Sequence, residues 1–339
     1  MNKKSMLLLA LSIVSASQFA NASGGMIGAF FGPDEDFVCY TSIHRNFFLA
    51  IFAAVFLAGL FAWSRFRLKS RTAKELAQQK SVIEEQNKDI LDSIRYASRL
   101  QNALEPDLHL VNRILPESFF LLRPRDIVGG DFYFVEECKG KIIIAAIDCT
   151  GHGVPGAFLT FIGHNALRNA LDKASAMDAA VILELMNTEV KRSLGQQRPE
   201  SELSDGMEVG LCIFDQATGR LNYAGAGTSL YLSKNGEVAE LKAAKCSVGS
   251  IQEHVVAPPP SHQIELQRGD AFFMASDGIT DQFGGPQGKK FQRERLRKLL
   301  EEISGEKMST QKQIISERIT EWMKGNSQTD DMLLVGVKY

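Results

Sequence analysis

Four aspartates stand at the ends of apolar, strand-like segments, each close to glycine or to a second aspartate; they are Asp131, Asp148, Asp277 and Asp330. Carboxylate oxygens are the ligands that hard divalent cations such as Mg²⁺ and Mn²⁺ prefer. Taken singly, each of these aspartates is better explained by turn chemistry than as a metal ligand. The repetition of one pattern four times favours a divalent-metal site built at strand ends.

The most informative stretch is IIIAAIDCTGHGVPG, at residues 142–156. Its apolar run ends at Asp148, a glycine-rich turn containing His152 follows, and a helical pattern begins after the turn. A rigid strand fixes the carboxylate, and glycines let backbone and small ligands approach closely. The alternative is that Asp148 only caps the next helix.

The elements that must position these aspartates alternate with turn residues such as Gly140 and Asn235-Gly236. The patterns predict strands at residues 131–138, 141–148, 207–215, 221–224, 230–233, 271–276 and 332–338. They predict helices at residues 157–171, 177–194, 293–303 and 311–323. Strands in meander order with helices gathered in pairs indicate an α+β fold, with antiparallel sheets covered by helices.

The composition is that of a globular protein, with 339 residues, 45% hydrophobic and 23% charged. A formal net charge of -2 gives no support for nucleic-acid binding, so no nucleic-acid partner is expected. The five cysteines show no CxxC spacing, which argues against a zinc ribbon or a disulfide framework. Free thiols in a reducing compartment are expected, at least for the last four.

The N-terminus has the features of an export signal at residues 1–22. Lys3 and Lys4 precede a short apolar core at residues 6–14, and Ala20-Asn21-Ala22 resembles a cleavage site. The alternative is an uncleaved N-terminal anchor. Residues 23–46 are then a short periplasmic segment, too short to bury a core by itself.

A transmembrane helix is predicted at residues 47–64. Residues 47–63 carry no charge, and four basic residues follow at once: Arg65, Arg67, Lys69 and Arg71. The positive-inside rule places everything after them in the cytoplasm. We therefore predict an inner-membrane protein whose larger part is cytoplasmic.

Residues 65–104 are predicted to form a cytoplasmic signalling helix. Apolar residues recur at every seventh position from Leu76 through Ile83, Ile90 and Ala97 to Leu104, as in half of a heptad. The other half is mostly polar, at Lys80, Asn87 and Gln101. This pattern predicts a marginal coiled coil that makes a homodimer, and the alternative is a single solvated helix.

Six segments, in this order and spacing, carry a family resemblance: RDIVGGDFYF (125–134), IDCTGHGVPGAFL (147–159), SDGME (204–208), YAGAGTSLYL (223–232), SDGITDQFGG (276–285) and TDDMLLVGV (329–337). From about residue 91 onward the chain resembles the SpoIIE/RsbU-like branch of the PPM-type, protein phosphatase 2C-like, metal-dependent serine/threonine phosphatases. The resemblance implies an antiparallel β-sandwich flanked by helix pairs at residues 105–339.

The resemblance also implies site residues. Two Mn²⁺ or Mg²⁺ ions would be bound by Asp131, Asp148, Asp277 and Asp330, with the backbone carbonyl of Cys149 as a further ligand. A phosphate-binding arginine is expected near the first motif, and Arg125 is the nearest. Glu208 stands where an aspartate is more usual, which leaves a metal role for Asp205 or Glu208 open.

The implied function is a membrane-anchored protein serine/threonine phosphatase that uses metal-activated water. The implied substrate is a phosphorylated cytoplasmic regulator such as a STAS-type anti-sigma-factor antagonist. His152 either protonates the leaving oxygen or only hydrogen-bonds within its loop, whereas His164 is expected to be structural. The alternative functions are a non-catalytic signal-sensing module on the same fold and a phosphatase for small phosphate esters.

Overall fold

A computed structural model describes residues 35–196, 205–250 and 259–339. The predicted export signal and the first part of the predicted periplasmic segment lie outside these residues. The chain divides after Gln86 into two units, which are described separately below. The elements are numbered in chain order.

Helix α1 (Glu35–Asn102) contains both the predicted transmembrane segment and most of the predicted signalling helix. Its first part is long and apolar enough to cross a membrane, and none of that apolar stretch is buried within the protein. Phe48, Val55 and Phe61 are among its exposed side chains. Exposed apolar surface of this extent is unfavourable in water, so the helix is compatible with a membrane anchor.

The second unit contains two five-stranded sheets in which all neighbouring strands are antiparallel. One sheet has the order β1 (Ser118–Arg123), β12 (Met332–Lys338), β9 (Ala271–Ala275), β6 (Leu230–Lys234), β7 (Glu237–Leu241). The other has the order β2 (Phe132–Cys138), β3 (Lys141–Cys149), β4 (Met207–Asp215), β5 (Arg220–Ala226), β8 (His262–Glu265).

Helices and a small hairpin complete the second unit. They are α2 (Leu108–Ile114), α3 (Gly153–Lys173), α4 (Ala179–Ser193), α5 (Asp277–Thr280), β10 (Phe283–Gly284), β11 (Lys289–Lys290), α6 (Arg293–Glu302) and α7 (Met308–Met323).

The side chains of β3 show how the layers form. Ile144 belongs to the core between the two sheets, together with Phe214 and Phe272. Ile143 and Ile147 belong instead to the core that the same sheet makes with α3 and α4. Alternate residues of a strand face opposite sides, so a strand buried on both faces must be apolar throughout. A third core packs α6 and α7 on the first sheet, which completes a helix–sheet–sheet–helix sandwich.

The predicted α+β sandwich flanked by helix pairs is confirmed, and every predicted strand and helix of residues 131–338 has a counterpart. Strands β1, β7 and β8 and helix α2 were not predicted. Strand β8 alternates between half-buried and exposed residues and pairs only with β5, so its own sequence carries little signal. Asn235 and Gly236, both at positive φ, form the β6–β7 turn as their types suggest.

The end of α1 differs from the expected coiled-coil seam. Ala97, Gln101 and Leu104 are half-buried in the second unit, and Gln101 hydrogen-bonds to its loops. Leu76 and Ile83, earlier in the same repeat, are 67% and 55% exposed. The last two repeats of the proposed seam are therefore used within the chain, because one helical face cannot pack on its own domain and on a second helix at once.

Candidate metal centre

The four predicted aspartates come to one end of the sandwich because of strand direction. Asp131 immediately precedes β2 and Asp148 lies near the end of β3, and these strands pair with Phe132 opposite Ile147. Asp277 follows β9 and Asp330 precedes β12, which pair with Ala275 opposite Leu334. In antiparallel pairs, the end of one strand lies beside the start of its neighbour.

Three of these four aspartates have raised pKa values, and in each case the charge of another of the four is among the causes. Burial raises the pKa of Asp131 well above its usual value, and the charge of Asp148 raises it further. Burial raises the pKa of Asp148 to about 7, and the next causes are the charges of Asp277, Glu208 and Asp330. The pKa of Asp277 is raised by burial and by the charges of Asp281 and Asp330. We call Asp131, Asp148, Asp277 and Asp330 the carboxylate cluster.

The donor chemistry of the cluster suits a hard divalent cation. Among residues 35–196, 205–250 and 259–339, none of its members forms an ion pair with lysine, arginine or histidine. In that same part of the chain, no three His, Cys, Asp or Glu side chains converge closely enough to hold an ion as they stand. The charges of cluster members nevertheless raise the pKa values of Asp131, Asp148 and Asp277, as nearby like charges do, and carboxylate oxygens are the donors that hard cations prefer.

Ser276 connects the two sheets behind the cluster. Its hydroxyl donates to Asp131 Oδ2 at 2.6 Å and accepts the backbone N–H of Leu333 at 2.9 Å. The hydroxyl thus both donates and accepts, and it holds one oxygen of Asp131 in place. The sequence analysis identified the SDG motif through its aspartate and missed the serine.

Asp331 has a different role from its neighbour Asp330. It is 3% exposed, and its two carboxylate oxygens accept the backbone N–H groups of Arg125 and Gly130, each at 2.6 Å. Asp331 thereby ties the loop before Asp131 to the start of β12. In the sequence, only the Asp330-Asp331 pair indicated Asp331, and such a pair does not show which of the two side chains is buried.

The motif glycines allow three loops to pack backbone against backbone. A Cβ atom on Gly130 or on Gly156 would lie 2.5 Å from the carbonyl oxygen of Gly151. A Cβ on Gly278 would collide with the carbonyl oxygen of Asp331. These positions accept only glycine without a backbone shift, which confirms the expected close approach at the glycine-rich turn.

His152 and Arg125, two further predicted site residues, are exposed at the protein surface. His152 Nδ1 is 2.9 Å from Asp126 Oδ2, and both side chains are exposed. Arg125 donates from Nη1 to the carbonyl oxygen of Thr329 at 3.1 Å, which ties its guanidinium to the segment just before Asp330 in the chain. Asp126 was not predicted, although it lies within the first motif.

Cys149 and Glu208 flank Asp148. Burial, and then the charge of Asp131, raises the pKa of the Cys149 thiol well above its usual value. Glu208 stands opposite Asp148 in the β3–β4 register. Its pKa is raised by burial and by the charge of Asp277. Glu208 therefore adjoins the carboxylate cluster, whereas Asp205 offers its backbone carbonyl to Gln196.

His164 lies apart from this chemistry, as predicted. Its ring contacts Phe134 edge-on at 5.4 Å on the surface of α3. Burial, followed by the charge of Arg168, lowers its pKa. A neutral ring packed on an aromatic side chain is a structural feature.

Comparison with known proteins identifies the family. The SpoIIE family, described as stage II sporulation protein E, matches residues 139–339, which is more than half of the chain. The SiaA-PP2C domain of Pseudomonas aeruginosa is 32% identical with a TM-score of 0.68, and the match covers 75% of this chain and 98% of that one. No curated protein sequence matches this chain significantly.

A more distant solved structure shares the fold. It contains the PP2C phosphatase domain and a fragment of the regulatory domain of SpoIIE from Bacillus subtilis. It is 20% identical with a TM-score of 0.52, and the match covers 66% of this chain and 63% of that one. Together with the family match and the carboxylate cluster, these likenesses lead to one conclusion: the chain belongs to the SpoIIE family of PPM-type protein serine/threonine phosphatases.

Proposed function

We propose that this chain is a membrane-anchored, metal-dependent phosphatase that removes phosphate from serine or threonine of a cytoplasmic regulatory protein. The observation that carries the proposal is the carboxylate cluster, in which the pKa of Asp148 is raised to about 7 by burial and by other acids. Buried acids without a basic partner are costly unless a cation binds them. A non-catalytic module would have no use for that arrangement.

The residues that would hold two Mn²⁺ or Mg²⁺ ions are Asp131, Asp148, Asp277 and Asp330, with the carbonyl of Cys149. When bound, such ions polarise a phosphate ester and lower the pKa of a bound water. The protein's part is to fix the oxygens, as Ser276 does for Asp131. Arg125, whose exposed guanidinium is held by the carbonyl oxygen of Thr329, is proposed to orient the phosphate oxygens.

His152 is proposed to protonate the leaving serine or threonine oxygen. The contact of its Nδ1 with Asp126 would orient the ring and leave Nε2 to exchange a proton. The alternative is that this pair only holds the loop. A His152→Gln variant distinguishes them: loss of a general acid lowers phosphoserine turnover by about 10²-fold. Turnover of p-nitrophenyl phosphate, whose leaving group needs no proton, should then change little.

The substrate class is tested directly with the full chain in detergent. A serine-phosphorylated STAS-type protein and a set of small phosphate esters are compared at saturating Mn²⁺, with free phosphate measured. We expect release from the phosphoprotein at a far higher kcat/KM. Faster turnover of the small esters would favour the small-molecule alternative, and no release from any substrate would favour a binding module.

The membrane topology follows from the basic cluster after residues 47–64. We propose that residues 23–46 are periplasmic and that residues 65–339 are cytoplasmic. A reporter fused after Arg71 should behave as cytoplasmic, and one fused after Asp36 as periplasmic. The reverse pattern would overturn this orientation.

We further propose that the chain is a homodimer paired through the exposed seam at Leu76, Ile83 and Ile90, whereas residues 105–339 carry the chemistry. Replacing Lys80 and Asn87 together by Leu should strengthen the pair, since both stand at polar seam positions. Sedimentation of the full chain in detergent measures this. If the wild type and the doubly substituted variant are both monomeric, the helix only connects the membrane span to the rest of the chain.

A further inference from the structure

Gln101, in the last turn of α1, makes an unusually complete set of hydrogen bonds. Its Nε2 donates to the carbonyl oxygen of Gly129 at 2.7 Å and to Thr160 Oγ1 at 3.2 Å. Its Oε1 accepts the backbone N–H of Gly129 at 3.3 Å. One amide side chain therefore satisfies both backbone groups of a residue that lies two positions before Asp131.

Gly129 depends on that amide. It is buried, and a buried backbone N–H or C=O without a partner costs free energy comparable to a lost hydrogen bond. Its neighbour Gly130 is held from the opposite side, because its N–H donates to Asp331. The Gly129-Gly130 segment is thus fixed between α1 and the start of β12.

Thr160 extends the contact to α3. Its side chain is 1% exposed, and its hydroxyl donates to the carbonyl oxygen of Ala157, so it accepts from Gln101. Helix α3 begins directly after His152 in the glycine-rich turn. Gln101 therefore joins the segment just before Asp131 to helix α3, which begins in the glycine-rich turn after Asp148.

Polar contacts between this helix end and the rest of the second unit are few. A cavity of about 630 Å³ lies beside Gln101 and is also lined by Glu105, Phe120 and Asp131. Within the described residues, the other side-chain hydrogen bond from residues 87–105 to the sheets is Tyr133 to Glu105, at 3.4 Å. Because the cavity leaves open space beside the Gly129-Gly130 segment, the hydrogen bonds of Gln101 are what hold this side of the segment.

We propose that Gln101 is a positioning residue for metal binding: its amide holds the Gly129-Gly130 segment so that Asp131 can ligate the ion. This inference rests on the proposed function, because it takes Asp131 as a metal ligand. It gives Gln101 a role within its own chain, whereas the heptad pattern placed this residue in a seam between two chains.

The test measures Mn²⁺ binding to the metal-free full chain in detergent. Binding is monitored through the electron paramagnetic resonance signal of the Mn²⁺ that remains free. Gln101→Met keeps the side-chain length and removes all three hydrogen bonds. We expect its Mn²⁺ affinity to fall about 10- to 100-fold, as for other supporting residues of metal ligands. Hydrogen exchange of the Gly129 amide should also become faster. The matched control is Asn102→Leu, since the exposed Asn102 side chain forms no hydrogen bond within the described residues.

Equal Mn²⁺ affinity in wild type and Gln101→Met would overturn the inference while leaving the proposed function intact. Absence of Mn²⁺ binding by the wild type would overturn both. Circular dichroism and the unfolding midpoint verify that the variants fold. If Gln101→Met does not fold, Gln101→Glu is used, which can still accept from Gly129 N–H but cannot donate to its carbonyl. Unchanged affinity in that variant likewise overturns the inference.

Discussion

Asp330 and Asp331 are adjacent and chemically identical, yet their carboxylates have different surroundings. Asp330 is half-exposed and belongs to the carboxylate cluster, where its charge raises the pKa of Asp148 and of Asp277. Asp331 is buried behind the cluster, where the N–H groups of Arg125 and Gly130 satisfy it. We call Asp331, Ser276 and Gln101 the supporting frame.

The difference teaches what each region is built for. Hydrogen bonds to backbone N–H groups stabilise a buried carboxylate in the folded protein without any ligand. Carboxylates that have mainly one another for neighbours destabilise the metal-free fold and become favourable only when a cation arrives. An Asp→Asn change should therefore have different consequences in the two regions.

The largest effect is expected for activity in the carboxylate cluster. Asp148→Asn should lower phosphatase turnover by roughly 10³-fold, because it removes a charge from the metal shell with little change of size. The metal-free protein should be at least as stable as wild type, since one buried repulsive charge is gone. Activity is measured at saturating Mn²⁺, and the comparison fails if Asp148→Asn keeps near-normal turnover. Asp277→Asn should behave in the same way.

The second-largest difference between the carboxylate cluster and the supporting frame is expected in how Mn²⁺ changes the stability of their variants. Mn²⁺ at 100 times its Kd should stabilise the wild-type fold by about 2.7 kcal/mol through binding to the folded state alone. The stabilisation should disappear in Asp148→Asn and remain measurable in Asp331→Asn. Thermal unfolding with and without Mn²⁺ gives the shift, and chelator provides the baseline. If Mn²⁺ shifts the unfolding temperature equally in wild type and Asp148→Asn, then Asp148 is not a metal ligand.

In the supporting frame, stability should suffer even without metal. Asp331→Asn places an amide N–H₂ against the N–H of either Arg125 or Gly130, so one buried donor loses its acceptor. We expect a loss of about 1–3 kcal/mol in the free energy of unfolding. Denaturant unfolding of the metal-free protein measures it, with Asp148→Asn as the matched substitution. A loss of equal size in both variants would erase the distinction between the regions.

The smallest effect is expected beside Asp148. Only the backbone carbonyl of Cys149 is proposed to take part in metal binding, so Cys149→Ala should keep turnover within a few-fold of wild type. The buried side chain is small, and its loss should cost about 1 kcal/mol or less in stability. Turnover and the Mn²⁺ concentration for half-activation are measured together. A loss comparable to that of Asp148→Asn would show that the thiol itself takes part.

Much of the second unit was predictable because its signals are local. Strand β3 is apolar from Ile142 to Ile147 because both of its faces are covered there, and that pattern is visible in the sequence. Edge strands such as β8 were missed because their pairing partner, not their own residues, makes them strands. The coiled-coil seam stays a prediction, since periodicity shows that a helical face is apolar and not what covers it.

By itself, the sequence determined the apolar strands, the helices, the anchor-like segment and the four aspartates, since each depends on residue types within one short stretch. The tertiary structure decided which aspartate of the DD pair is held from behind and that Ser276 reaches Asp131. It also decided that Gln101 contacts Gly129. Those contacts join residues far apart in the chain, and a hydrogen bond a few ångströms long forms only where folding has already brought its two partners together.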